Sequence, residues 1–183
     1  MQKTAIFLAD GFEEIEALAV VDLLRRAKID VQMVSIMESK SVYGSHGIAV
    51  EADTVIEGFD FSGVDMLILP GGMPGTSNLD ACEPLKARIK EFNDAGKILA
   101  AICAAPTVYG KMGLLSGKRA TCYPGREPDL LGATAVTDKV VKDGNFITSR
   151  GAGTAIDFAL AIIEHFQGAN AAADMAEKIV YKA

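Results

Sequence analysis

What this chain has little of narrows its chemistry. In 183 residues it holds two histidines, His46 and His165, and three cysteines, Cys82, Cys103 and Cys122. The cysteines are odd in number and widely spaced, which argues against a disulfide framework and against a CxxC zinc or redox motif. Two separated histidines make no cluster of metal ligands, so no metal is expected. The formal net charge is −6 and the cations are scattered. Phosphate neutralisation needs grouped Lys and Arg, so nucleic-acid binding through a basic patch is not expected. The apolar run at residues 5–9 is far too short to cross a bilayer. The first residues also lack a cationic segment followed by a long apolar stretch and a small-residue cleavage site. A reducing cytoplasm is the expected compartment, with no membrane partner. Neither GxxxxGK[ST] nor GxGxxG occurs, so neither a phosphate loop nor a dinucleotide cofactor is expected. The chemistry is left to side chains, with no cofactor.

What is present fits one domain over residues 1–183: half the residues are hydrophobic and 23% are charged. Strand-like and helical stretches alternate. Residues 4–9 are continuously apolar after Thr4, as in a parallel strand buried on both faces. A helix is expected over 13–27, acidic in its first turn and basic near its end, in keeping with the helix dipole. Further strands are expected at 31–37, 66–69 and 98–102, and hairpins at 41–52 and 140–149, the second turning at Asp143-Gly144. Pro84 suits the first turn of a helix with the stripe Leu85, Ile89 and Phe92, stopped by Gly96. Helices are also expected over 104–112, from Thr154 through Phe166, and over 171–180, with Thr154-Ala155-Ile156-Asp157 spaced as a capping box. Alternating β and α with fully apolar strands implies a three-layer α/β/α sandwich on a mainly parallel sheet. Sites in such sheets form at the carboxyl ends of the strands.

Three loops follow apolar strands and should share that rim. The third, Ala101-Ile102-Cys103-Ala104-Ala105, has the layout of a nucleophile elbow, with small residues two places either side of the central one. At a helix N-terminus, Cys103 would be held as a thiolate by unpaired N–H groups and the dipole. The plainer reading of Cys103 is a small buried hydrophobe, and spacing leaves both open. Glu16 lies one turn inside the first helix between apolar neighbours. If it faces the rim, it must be protonated to sit beside a thiolate, donating its hydrogen bond and then moving protons. Glu13 and Glu14 read as solvated, dipole-compensating residues. Gly71-Gly72 is either a simple turn or a close-approach loop whose N–H, with that of Ala104, supports an oxyanion.

The segments Gly11-Phe12-Glu13-Glu14-Ile15-Glu16, Leu69-Pro70-Gly71-Gly72, Ala100 to Pro106 and Thr148 to Thr154 together resemble the ThiJ/PfpI superfamily, in its deglycase branch, in order and over nearly the whole chain. The resemblance implies a flavodoxin-like fold of the class I glutamine amidotransferase-like superfamily and a homodimer. It also implies Cys103 as an oxidisable nucleophile, Glu16 as the protonated carboxyl beside it, and Gly72 and Ala104 as backbone donors, with Gly71 in support. The activity it implies is that of a glyoxalase or deglycase acting on small carbonyl substrates, the 2-oxoaldehydes or their early adducts. A redox-sensing or chaperone role switched at Cys103 is the alternative.

Two positions depart from the pattern. Ala104 stands where some relatives have a histidine, so protease or amidotransferase chemistry is not expected, and neither His46 nor His165 is expected on the rim. Tyr123 stands where the deglycase branch has a histidine facing the cysteine; a tyrosine donates a hydrogen bond but is a poor base at neutral pH. Arg150 either presents a cation to an anionic product or, as the simpler reading, ties its loop to backbone carbonyls. His46 reads as a turn residue, and Cys122 as a buried structural cysteine rather than a second thiol of the site.

Overall fold

Seven strands form the central sheet in the computed structural model, which describes residues 2–181. The elements run in chain order β1 (Lys3–Leu8), α1 (Glu14–Arg26), β2 (Asp30–Ser35), β3 (Ser41–Tyr43), β4 (Ala49–Glu51), β5 (Thr54–Val55) and β6 (Met66–Leu69). There follow α2 (Gly75–Ala81), α3 (Glu83–Asp94), β7 (Ile98–Ile102), α4 (Pro106–Lys111), β8 (Arg119–Ala120) and β9 (Thr134–Ala135). The last are β10 (Val140–Asp143), β11 (Phe146–Ser149), α5 (Ala155–Gln167) and α6 (Ala169–Lys178). The sheet order is β10-β11-β7-β6-β1-β2-β5, parallel throughout except for β10 against β11. This is the expected α/β/α sandwich of flavodoxin-like kind.

Side chains alternate across each strand, so one apolar strand feeds two cores. Ile6, Leu8, Ile68, Ala100 and Ile102 face α1, α5 and α6. Ala5, Phe7, Leu67, Leu69, Leu99 and Ala101 face the other layer, meeting Leu79 of α2, Leu85, Ile89 and Phe92 of α3, and Val108 and Tyr109 of α4. That double burial is why these strands carry no polar face.

The chain leaves β1 toward β2 on one side and later adds β6 on the other. The loops after β1 and β6 therefore part at this point of the rim, opening a crevice. The loop after β7 lies next to it.

Several expectations change. The helix expected from 104 begins only at Pro106, because Cys103 takes a left-handed backbone (φ 65°) and residues 103–105 are spent on the turn. The expected capping box at Thr154 is absent. Thr154 makes no side-chain cap to α5; its Oγ1 instead accepts from Gly151 N–H at 3.1 Å and donates to Gly151 O at 2.9 Å, so the hydroxyl closes the preceding turn. Helix α2 and the short pairs of β5, β8 and β9 carried no recognisable period. The hairpin expected over 41–52 is β3 against β4, set apart from the main sheet.

Candidate active site

Cys103 sits at the sharp turn between β7 and α4 with its backbone pinned on both sides. Its N–H donates to Ser149 O at 3.0 Å, and its carbonyl accepts from Tyr123 N–H at 2.7 Å. A non-glycine residue at positive φ is strained by crowding at Cβ, and it persists only where neighbours over-determine it. The flanking Ala101 and Ala105 are fully buried, as an elbow requires. Cys103 as a whole is only partly buried.

Glu16 enters from α1, 1% exposed, and reaches the same place. Its Oε2 accepts from Gly71 N–H at 2.8 Å, while Oε1 is buried without a partner. Burial raises its pKa to about 7, against the hydrogen bonds to Cys103 and Gly71, which act downward. Below about 7 Glu16 is therefore mostly protonated. Gly71 makes the meeting possible. A Cβ there would lie 2.5 Å from the Cβ of Cys103, 2.7 Å from Glu16 Oε2 and 3.0 Å from the sulfur. Gly72 holds φ 91° with its own Cβ position 2.3 Å from Glu13 N, so two successive glycines bring backbone against the pair.

The N–H groups of Gly72 and Ala104 act on the sulfur and pull its pKa down. They do not prevail. Burial, then the charge of Glu16 and its hydrogen bond, push the Cys103 thiol up to about 12. The expectation of a thiolate held by a helix dipole is thus corrected: the following helix is only six residues long and starts three residues later. Ionisation of the sulfur depends instead on whether Glu16 carries a proton.

Glu13 and Glu14 are not solvated as expected; they are 9% and 4% exposed. Glu13 caps α1, accepting from Ile15 N–H at 3.0 Å. Glu14 clasps the β3–β4 turn, accepting from His46 N–H at 2.7 Å and lying 2.9 Å from His46 Nδ1. Burial pushes Glu14 up, but its hydrogen bonds, first that from the His46 side chain, hold it at about 2. His46 thus reaches the rim after all, carried there by the hairpin, with its ring engaged by the two carboxylates. Ligand atoms of Glu13, Glu14 and His46 lie within 4.8 Å of one another, a spacing that suits a cation, but the hydrogen bonds already given account for them. His165 is on α5, away from the rim.

Tyr123 is half exposed, its ring against Gly151 beside Glu16. Cys122 is fully buried, and burial raises its thiol to about 11, in keeping with a structural cysteine. Arg150 does not tie its loop down as the simpler reading had it. Its Nη1 is buried without a partner, and the loop is closed by Thr154 instead. The clasp by Glu14 is the feature of the site that sequence reasoning missed; its one signal was a pair of acids ahead of Glu16 with a Gly-rich turn elsewhere in the chain.

A flavodoxin-like sandwich with a strained cysteine elbow, a buried carboxyl beside the sulfur and a double glycine against both defines a class of thiol proteins. Comparison with known proteins names the family. Residues 2–165 match the DJ-1/PfpI family, and the chain belongs to it. It is 37% identical over 183 residues to protein dj-1beta of Drosophila melanogaster, covering 98% of each. To DJ-1 homolog B of Arabidopsis thaliana it is 39% identical over 99% of this chain, but the chain spans only 42% of that protein's length. Glutathione-independent glyoxalase DJR-1.2 of Caenorhabditis elegans is 32% identical over 91% of this chain and 90% of its own. Among solved structures, a DJ-1 superfamily protein of Salmonella typhimurium superposes with a TM-score of 0.95 at 36% identity, and an oxidised DJ-1 of Toxoplasma gondii with 0.96 at 33%, each chain covered in full.

Proposed function

We propose that this protein is a cofactor-independent glyoxalase or deglycase acting on 2-oxoaldehydes such as methylglyoxal, or on their early adducts, through Cys103 and Glu16. The observation that carries the reading is the shared position of the Cys103 sulfur, the buried Glu16 carboxyl and the N–H groups of Gly72 and Ala104. Because the carboxylate and the sulfur cannot easily both be charged, one proton passes between them. With that proton on Glu16, the sulfur adds to the aldehyde carbon, and the carbonyl oxygen takes up the negative charge and then the proton from Glu16, giving a hemithioacetal and leaving Glu16 a carboxylate. The N–H groups of Gly72 and Ala104 are the donors that meet this oxygen. Glu16 then removes the proton from the former aldehyde carbon and returns one to the neighbouring carbon, leaving a thioester and a hydroxyl. Water cleaves the thioester, restoring the thiol and releasing a 2-hydroxy acid. The sum is aldehyde plus water, with no outside oxidant.

That the Caenorhabditis relative is a glutathione-independent glyoxalase supports the substrate class. Purified protein is expected to convert methylglyoxal to lactate without glutathione, with turnover lost in Cys103→Ser and reduced by at least about 100-fold in Glu16→Gln. Wild-type protein without turnover overturns the reading.

One observation favours a second role. A relative at full coverage is described as oxidised. The N–H groups that point at the sulfur can equally hold the oxygens of a sulfinate, making Cys103 a redox sensor. Negligible turnover together with quantitative oxidation of Cys103 by low peroxide selects this role.

A further inference from the structure

Arg150 follows β11, so it stands on the same rim as Cys103. Its guanidinium is permanently charged, with five donors in a fixed fork. Nη1 is buried and unpartnered, and among the described residues no carboxylate forms an ion pair with this arginine. A buried donor left unpaired costs about 1–3 kcal/mol, more when charged. Nothing in the loop repays that. The turn it begins is closed by Thr154, whose Oγ1 also lies 2.7 Å from Ser149 Oγ.

The same arginine lines a hollow of about 350 Å³ whose other walls are Tyr123, Pro124 and residues 151–154. Apart from Arg150 and the engaged Thr154 hydroxyl, these side chains offer a ring, a proline and small residues. The hollow lies beside Glu16. Gly151 separates the two: a Cβ there would stand 3.4 Å from the Tyr123 ring and 3.9 Å from Glu16 Oε1. Tyr123 is bonded through its N–H to the carbonyl of Cys103 itself. A cation without a carboxylate partner among the walls of a mostly apolar hollow, one residue from the glycine that packs beside Glu16, is an arrangement that suits an anionic group on a small organic molecule.

We infer that the hollow is an anion subsite of the thiol centre, in which Arg150 selects small carbonyl compounds or adducts that carry a carboxylate. As a statement about substrate it rests on the reading of Cys103 as a nucleophile given above. Arg150 is here a specificity-determining residue; no proton or bond of the reaction passes through it.

Iodoacetate and iodoacetamide test this, since both alkylate a thiolate and differ in charge. Their rate ratio at Cys103, followed by mass spectrometry of the peptide, cancels the fraction of ionised sulfur. The ratio is expected to exceed that of free glutathione by about fivefold or more, the factor that one partly screened ion pair supplies. It should fall to the glutathione value in Arg150→Gln, keep part of its excess in Arg150→Lys, and shrink in wild type at about 0.5 M salt. A wild-type ratio no higher than that of glutathione, or one indifferent to both salt and Arg150→Gln, overturns the inference. If the glutamine variant does not fold, the lysine variant and the salt series decide alone. Methylglyoxal turnover without the charge preference refutes only the subsite. Charge preference without turnover refutes the glyoxalase reading and leaves an anion site beside a reactive thiol.

Discussion

At the scale of single residues, the pairing of Glu16 with Cys103 makes testable statements about pH. The two groups share a site, so their titration belongs to the pair. With Glu16 raised to about 7 and Cys103 to about 12, the first proton leaves near neutrality and the second only in strong alkali. Alkylation of Cys103 is expected to show a small step at about 7, from the fraction of the pair that keeps the remaining proton on Glu16, and its main rise only toward strong alkali. In Glu16→Gln that step should vanish, leaving one titration below 12, because the like charge is gone. A wild-type profile with a single step at the free-thiol value, about 8.5, refutes an activated centre. The same shift bears on stability. Glu16 goes from an ordinary 4.5 to about 7 on folding, so between these values the unfolded chain has released a proton that the folded one keeps. Stability therefore falls as pH rises from about 4.5 to 7, by up to about 3 kcal/mol from this group. Denaturant titrations of wild type against Glu16→Gln should show that loss in the wild type and not in the variant. Gly71→Ala tests the crowding at the pair directly. Its methyl group meets the Cys103 Cβ, so destabilisation of about 1–3 kcal/mol and loss of any Cys103 chemistry are expected.

At the scale of elements, the β3–β4 hairpin is held by side chains rather than by the main sheet. Gly44 packs so closely on Glu14 that a Cβ would lie 2.2 Å from its carboxyl carbon. The hairpin's backbone also donates from Ser45 to Phe12 O at 2.8 Å. The clasp has a pH window. Glu14 is lowered to about 2, so its contribution is present above about 4.5 and is lost as pH falls toward 2. His46 is raised, chiefly by its hydrogen bond to Glu14, so its contribution is present below its ordinary value and is lost as pH rises through the folded one. Protection of residues 41–51 from hydrogen exchange, taken relative to the intrinsic rate at each pH, is expected to be greatest in mildly acid solution. Glu14→Gln should speed it while leaving exchange in β6 and β7 alone. Uniform exchange across the chain in that variant would refute a local clasp.

At the scale of the whole molecule, the sheet's two-sided burial explains its tolerance limits. Leu69 is fully buried at the end of β6, next to the loop that carries Gly71. Leu69→Ala is expected to cost about 2–5 kcal/mol, read from denaturant unfolding. It should also loosen the rim and depress Cys103 alkylation more than a comparable cavity at Leu23, on the helix layer. The homodimer implied by family resemblance makes a separate prediction: sedimentation should give twice the 19.3 kDa mass of the chain. A monomer at micromolar concentration rules it out.

The local pattern of residues was enough to foretell the sandwich, because strands buried on both faces must be apolar throughout and the helices between them must show one stripe. It was enough also for the elbow, since small residues at 101 and 105 are a local steric demand. Glu16 could be suspected from its apolar neighbours within one turn of helix. Tertiary structure decided the rest, where residues remote in sequence act on one another. The clasp of Glu14 on His46 joins positions 32 apart in sequence, and no local period announces it. The ionisation of Cys103 depends on burial and on a carboxyl from another helix, both of which outweigh the backbone donors visible in the elbow itself. Arg150 looked like a loop tie because arginines commonly are. Only the packed chain shows that a threonine already does that work, leaving a charged donor without a partner. Short-range sterics and solvent partition are written residue by residue; electrostatics in a desolvated crevice is a property of the assembled surroundings.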